Sequence, residues 1–450
     1  MNEYINVGKK ILKILNNNGH EAYFVGESVR NSILQKTITR VDITTSADLY
    51  TVKKLIVGNN VQDLDEYTIS LVYEEYEFFI NTFVFSKTTE KKISFNKHYS
   101  KHLLEDLSNR DFTINAIAMS HSGKLADAFN GYGDIQKKRI RHIGKAKTKF
   151  MNNPALIIKA FALMSELNYK LSRKTRKEIT KRRKYLYRFD PELYINDLQK
   201  IFDGPYAKKT ILMLNKTNID MVIPSFKKVI RLLGSYYKEV NFQETLLMAF
   251  LLNGTIDRQY ELYIENPKLF MKMYNLASTH KASNYDNITL FNYGLSICLE
   301  VNRINNILRR CRKKTKKIKK RWESLPIKTM DDLAFKKSDL KKIIRTKDYY
   351  VVDDIMTDVA AAIISGEITN TILDIQSMVI KLLEQNGVKY DLSGFPEENK
   401  TIDENTNESN KQHKKDDLDI INEHLIFQRR RNFEESDQGD KKGVMNSEED

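Results

Sequence analysis

Near residue 145 the sequence changes its repeat, and that change constrains the fold more than any other feature. Upstream, short β-type runs alternate with helical ones: AYFVG (22–26), RVDIT (40–44), ISLVY (69–73), EFFINTFVF (77–85) and NAIAMS (115–120). Between the first two lies ESVRNSILQK, where Val29, Ile33 and Leu34 recur at helical spacing. Strands interleaved with helices predict a small α/β domain. Downstream the apolar residues recur almost wholly at helical spacing, as in LIIKAFALMSEL (156–167) and ETLLMAFLL (244–252). Gly and Pro are scarce there, so long helices with short loops are expected. The predicted class is α+β, an α/β head followed by an all-helical remainder.

Charge divides the chain differently. Its net charge is +15, but residues 396–450 hold 16 acids against 9 bases, so the first 395 residues carry +22. That acidic extension lacks an apolar period and is expected to be disordered, with one short amphipathic helix in DDLDIINEHLIFQ (416–428). The positive charge is clustered. RRCRKKTKKIKKR (309–321) has ten bases in thirteen residues and RKTRKEITKRRK (173–184) has eight in twelve. Like charges at i, i+4 destabilise a helix, so runs this dense point to contact with a phosphate backbone. Candidate RNA contacts are Arg309, Arg310, Arg312, Lys313, Lys314, Lys316 and Lys317; Tyr236 and Tyr237, beside basic stretches of their own, are further candidates, although most aromatics here are expected in the core. Cys298 and Cys311 have no metal-type spacing. The N-terminal MNEYINVGKKILKIL reads as an amphipathic helix, and no apolar run reaches the roughly 18–20 residues that span a bilayer. A soluble, cytoplasmic protein is expected, with no membrane partner.

In TRVDITTSAD (39–48), Arg40 and Asp42 lie two residues apart and therefore on one face of a strand. Together with AYFVGESVRNSILQK, this stretch resembles the head domain of the bacterial-type (class II) tRNA nucleotidyltransferases, the CCA-adding enzymes, and the related poly(A) polymerases. EDLSNRDFTINAIAMS (105–120), DAFNGYGDIQKKRIRHIG (127–144), PELYINDLQKIFDG (191–204) and AAAIISGEITNT (360–371) resemble further segments of the family, in order, over roughly residues 1–390. The resemblance implies a nucleotidyltransferase-type head (1–145), a helical neck (146–205), a helical body (206–285), a helical basic tail domain (286–395) and the acidic extension (396–450). It also implies Mg²⁺ as cofactor if the protein is active, tRNA or another structured RNA as partner, and CTP or ATP as further ligands.

In the family, two carboxylates on one strand face bind divalent ions that hold the triphosphate and activate the RNA 3′-hydroxyl. A Gly-Gly turn admits the phosphates, and an Asp and an Arg on the neck read the base. Residue by residue, this chain keeps Gly26, Arg30, Asp42, Thr45, Ser46, Arg110, Asp111, Asn115, Asp127 and Arg141. It has Glu27 for the second glycine, Asn31 for the Asp after Val-Arg, and Arg40 for the first Asp of Asp-x-Asp. Phe79 stands for the third carboxylate, with Glu77 one alternation away as a substitute. The neck's base-reading pair becomes Asn153 and Leu156, after Asn152. The resemblance thus implies Asp42 as the surviving catalytic and metal residue, and a nucleotide site of Gly26, Ser28, Arg30, Arg110, Asp111 and Asn115.

Unit charges about 4 Å apart interact by about 4 kcal/mol at an effective dielectric of about 20. An arginine at position 40 removes that attraction for a metal or reverses it. The expectation is an RNA-binding member with nucleotide addition lost or impaired; the alternative is an active divergent CCA-adding enzyme transferring CMP and AMP. Arg40 is further expected to pair with Asp42 or Glu27, or with Arg30 and Arg110 to hold a phosphate.

Overall fold

The computed structural model describes residues 3–56, 59–86, 97–344 and 350–391. The expected acidic extension and its short helix lie outside the described residues. Two compact units are present, residues 1–325 and 326–450. Their boundary falls within the segment 286–395.

The first unit opens with α1 (Glu3–Asn17), β1 (Ala22–Val25), α2 (Glu27–Ile33), β2 (Val41–Thr45) and α3 (Leu49–Leu55). The strands β3 (Asn59–Asp65), β4 (Thr68–Tyr73), β5 (Tyr76–Thr82), β6 (Val84–Ser86) and β7 (Lys97–Tyr99) follow. Then come α4 (Leu103–Asn109), β8 (Ala118–Met119), β9 (Leu125–Ala126), α5 (Gly131–Gln136) and β10 (Arg139–Ile140). Each of the five β-type runs read from the sequence contributes a strand. The polar β3, NNVQDLD, has no apolar alternation and could not be read in the same way.

Seven strands form one mixed sheet in the order β3-β4-β5-β2-β1-β8-β9. β2 is central and runs parallel to β5 and antiparallel to β1. Its alternation decides which side chains go where. Val41 and Ile43 are in register with Phe78 and Ile80, and all four are fully buried. α1 lies against this face through Ile11, Leu12 and Leu15. It sits so close that a Cβ on Gly8 would come within 2.6 Å of the Phe24 ring and 2.9 Å of Phe78. Asp42, in register with Phe79, and Thr44 therefore point to the opposite face.

Past the head the first unit is helical: α6 (Ala146–Asn152), α7 (Ala155–Leu167), α8 (Arg173–Arg182), α9 (Ile195–Asp203), α10 (Ala207–Lys216), α11 (Lys227–Ser235), α12 (Phe242–Asn253), α13 (Arg258–Glu261), α14 (Pro267–Thr279), α15 (Asn287–Ile307) and α16 (Thr315–Glu323). A short strand β11 (Lys170–Leu171) pairs with β10 in parallel. α7 is apolar on nearly every side and is buried along most of its length. The second unit contains α17 (Lys337–Ile343), α18 (Tyr350–Ser365) and α19 (Ile372–Gln385). Among the described residues no helix is long and apolar enough to cross a membrane.

Candidate functional site

The site is built where β1 ends and β2 passes beside it. Gly26 leaves β1 with φ 76° and ψ −137°, a conformation that L side chains rarely adopt. A Cβ there would lie 3.5 Å from both Arg110 Nη1 and Asp42 Oδ2, so these three positions line one cradle. Arg40 Nε donates to Asp42 Oδ1 at 3.1 Å, and the Arg40 guanidinium carbon lies 3.5 Å from the centre of the Phe79 ring. Arg40 and Phe79, two of the positions expected to depart from the family pattern, thus meet the retained Asp42 in one contact: ion pair on one side, cation–π stack on the other.

Arg110 stands at the end of α4 and reaches Asp106 Oδ2 at 3.3 Å. Asp106 is itself held by Thr44 Oγ1 and the Val84 amide. The buried Arg110 Nε has no hydrogen-bond partner among the described residues.

Other expected site residues serve the interior. Ser28 Oγ turns back to donate to the Val25 carbonyl at 3.0 Å. Arg30 is fully buried; its guanidinium donates to Asn31, to Asn115 Oδ1 at 3.1 Å and to Glu166 Oε1 at 2.8 Å on α7, with Glu27 at 3.4 Å. Arg30 and Ser28 are therefore not exposed for a phosphate, contrary to expectation. Glu27 pairs with Arg30, so of the two carboxylates expected for Arg40 it is Asp42 that takes it. Asp127 caps Gly131 and Tyr132, and Arg141 pairs with Asp134 at 2.7 Å. Thr45 and Ser46 tie the end of β2 to Glu21.

The sequence did not single out Lys159, yet it closes the network. Its ammonium lies 2.6 Å from Asp111 Oδ2. Asp111 also accepts from the Phe112 amide and from Asn115. Burial alone would raise the Asp111 carboxyl, but the Lys159 charge and these hydrogen bonds hold it down at about 2. Asp111 in turn raises Lys159 against burial, and Asp197 and Asp42 add smaller contributions. Burial raises the Asp197 carboxyl on α9; Lys159 and Lys200 oppose this and Asp111 and Glu27 reinforce it. Lys149 donates to the Arg110 carbonyl, and burial lowers it to about 8 against the pull of Asp111. No signal at the level of single motifs would have found Lys159, because its role arises where α7 meets the head.

The donor set does not suit a divalent ion. Asp42 has one oxygen engaged by a cation, and no group of three or more His, Cys, Asp or Glu placed to hold a metal occurs among the described residues. Glu77 is exposed at the rim of β5 and makes no such group with Asp42. In the neck, Asn153 ends α6 with its Oδ1 buried and without a hydrogen-bond partner among the described residues, and Leu156 is half-buried.

The basic run of 309–321 splits on inspection. Arg310 reaches inward to the Leu251 carbonyl at 2.8 Å, and Lys314 is tied to the Ala282 carbonyl and Asn284. Arg309, with φ 59°, lies over Tyr236 at 4.9 Å, and Lys238 approaches the same ring. Arg312, Lys313, Lys316 and Lys317 are exposed. Arg309, Arg310, Arg312, Tyr236, Asn306 and Cys311 line a cavity of about 500 Å³.

A family profile described as the Poly A polymerase head domain matches residues 22–141, and one described as tRNA nucleotidyltransferase domain 2 matches 263–379. The CCA-adding enzyme of Lactobacillus gasseri is 30% identical over 343 residues, covering 72% of this chain and 84% of that enzyme. This chain belongs to the CCA-adding enzyme family. The CCA-adding enzyme of Bacillus subtilis is 28% identical over 376 residues, 80% of this chain and 94% of that protein. The crystal structure of the Bacillus stearothermophilus CCA-adding enzyme in complex with CTP superposes with a TM-score of 0.68 at 25% identity, covering 86% of this chain and 98% of that one. The Thermotoga maritima CCA-adding enzyme complexed with tRNA shares the fold, with a TM-score of 0.54 and 16% identity over 84% of this chain and 95% of that one.

Proposed function

We propose that this member of the CCA-adding enzyme family binds tRNA or a tRNA-like RNA and has lost, or largely lost, nucleotide addition. The observation that carries the reading is the Arg40 guanidinium, 3.1 Å from Asp42 and stacked on Phe79. Metal-assisted phosphoryl transfer relies on carboxylates to gather divalent ions. Here a fixed positive charge neutralises the one carboxylate left and an aromatic ring fills the place of another. Replacement of the base-reading pair by Asn153 and Leu156 removes a second requirement of the same reaction. RNA binding is supported by relatives named as CCA-adding enzymes along most of the chain and by the exposed bases Arg309, Arg312, Lys313, Lys316 and Lys317.

The test is incubation of the purified protein with tRNA lacking its 3′ CCA, labelled CTP and ATP, and Mg²⁺ or Mn²⁺, beside a gel-shift with the same tRNA. A shift without incorporation is expected. Template-independent incorporation of CMP and AMP would overturn the loss of activity and return the chain to the active CCA-adding reading.

A further inference from the structure

The same residues that disfavour a metal make a different kind of site. We infer that the head holds the phosphate of a nucleotide with Arg40 as a tethered cation, without any divalent ion. The inference deepens the proposed function by saying what the altered head still does.

Four observations carry it. Arg40 gives only its Nε edge to Asp42, and its two terminal nitrogens have no partner among the described residues. That outer edge is the one that binds phosphate in a bidentate manner. Phe79 stacks on the guanidinium at 3.5 Å and fixes its plane, although the Arg40 side chain is 51% exposed. Less freedom is then lost when an anion docks. Next, Asp42 would repel a phosphate if left alone, and the ion pair cancels that charge. Lastly, the cradle at Gly26 is open: among the described residues, and leaving aside its neighbours Val25 and Glu27, only Arg110 Nη1 and Asp42 Oδ2 lie within 4 Å of a Cβ there. Arg110 borders this cradle through Nη1, and its Nε is buried without a hydrogen-bond partner among the described residues, so the guanidinium is not fully satisfied within the protein. A divalent ion in a carboxylate site and a guanidinium paired to one carboxylate both present positive charge to phosphate. The guanidinium does so permanently, so affinity becomes independent of metal.

The phosphate can come from a free nucleoside triphosphate or from the RNA, and two arms separate these sources. CTP is titrated calorimetrically into the full-length protein in EDTA and in millimolar Mg²⁺, and tRNA lacking CCA is titrated under the same two conditions. Each is repeated with Arg40→Gln, whose melting temperature is checked against the parent. The expected result is equal affinity with and without Mg²⁺, reduced by roughly tenfold in Arg40→Gln, as for loss of one bidentate phosphate contact. A reduction for CTP assigns the site to the triphosphate; a reduction for tRNA alone assigns it to an RNA phosphate. Unchanged affinity for both ligands, or CTP binding that requires Mg²⁺, overturns the inference. A second variant, Arg40→Asp with Phe79→Glu, is expected to gain saturable Mn²⁺ binding by electron paramagnetic resonance where the parent has none. Saturable Mn²⁺ binding at this site in the parent protein would also overturn it. These readouts are binding, not turnover, so they fail or succeed separately from the incorporation assay.

Discussion

At the scale of single residues, burial separates arginines that look alike in sequence. Arg30 is fully buried and satisfies Asn31, Asn115 and Glu166 together, whereas Arg40 is half exposed. Replacing Arg30 by Met leaves Glu166 and Asn115 without their donor, so a loss of about 3–5 kcal/mol in urea unfolding is expected. Arg40→Gln breaks an exposed pair and is expected to cost less than about 1 kcal/mol in the same measurement. Asp111 adds a pH signature. Its folded carboxyl is held near 2, below the unfolded value of about 3.9, so its contribution is present above about pH 4 and is lost as pH falls towards 2. Asp111→Asn should flatten the urea midpoint over that window; an unchanged acid limb would contradict the Lys159 contact. The face shared by Arg40 and Asp42 could be read directly from the period of a strand, because that period is a property of the backbone. The burial of Arg30 could not, because its partner Glu166 lies 136 residues away.

At the scale of elements, register and helix docking complete what local patterns begin. β2 and β5 run parallel in register, which brings Phe79 beside Asp42 and under the Arg40 guanidinium. The helix α7 brings Lys159 and Glu166 to the head from a stretch whose sequence looks like plain apolar packing. The joint between the end of the head and α8 is made by His142, whose amide and Nδ1 both meet Thr175 Oγ1, at 3.3 and 2.9 Å. Burial, and then the charges of Lys174 and Lys149, lower His142 to about 4 from the usual imidazole value of about 6.5. The unfolded chain therefore takes up a proton first, and stability should fall as pH drops from about 6.5 to 4. His142→Gln is expected to remove that part of the pH dependence, measured as thermal melting temperature against pH. The basic run at 309–321 is legible as charge, but its division into inward and outward members is not. Arg310 and Lys314 are taken up by carbonyls of residues that are distant in sequence.

At the scale of the whole molecule, the excess of positive charge in the first 395 residues predicts binding that weakens steeply with salt. Replacing Lys313, Lys316 and Lys317 by Gln should reduce the slope of log affinity against log salt for tRNA by up to about three units, about one per lost phosphate contact. Lys314→Gln should change the melting temperature more than the slope, since its ammonium is tied within the protein; the reverse ranking would move the RNA surface elsewhere. The sequence by itself determined the α+β class and the family, and it raised the expectation that the family's pattern is broken at Arg40, Phe79, Asn153 and Leu156. Those follow from period, order and residue type, which are local or run along the chain. Only the tertiary structure decided where these side chains go and what they meet. Whether Arg40 faces Asp42 or Glu27, whether Arg30 is a ligand or a core residue, and whether Lys159 belongs to the site all depend on which charges are brought together and how far water is excluded. Coulombic and desolvation energies of several kcal/mol are set by distance and burial, and neither quantity is written in the order of the residues.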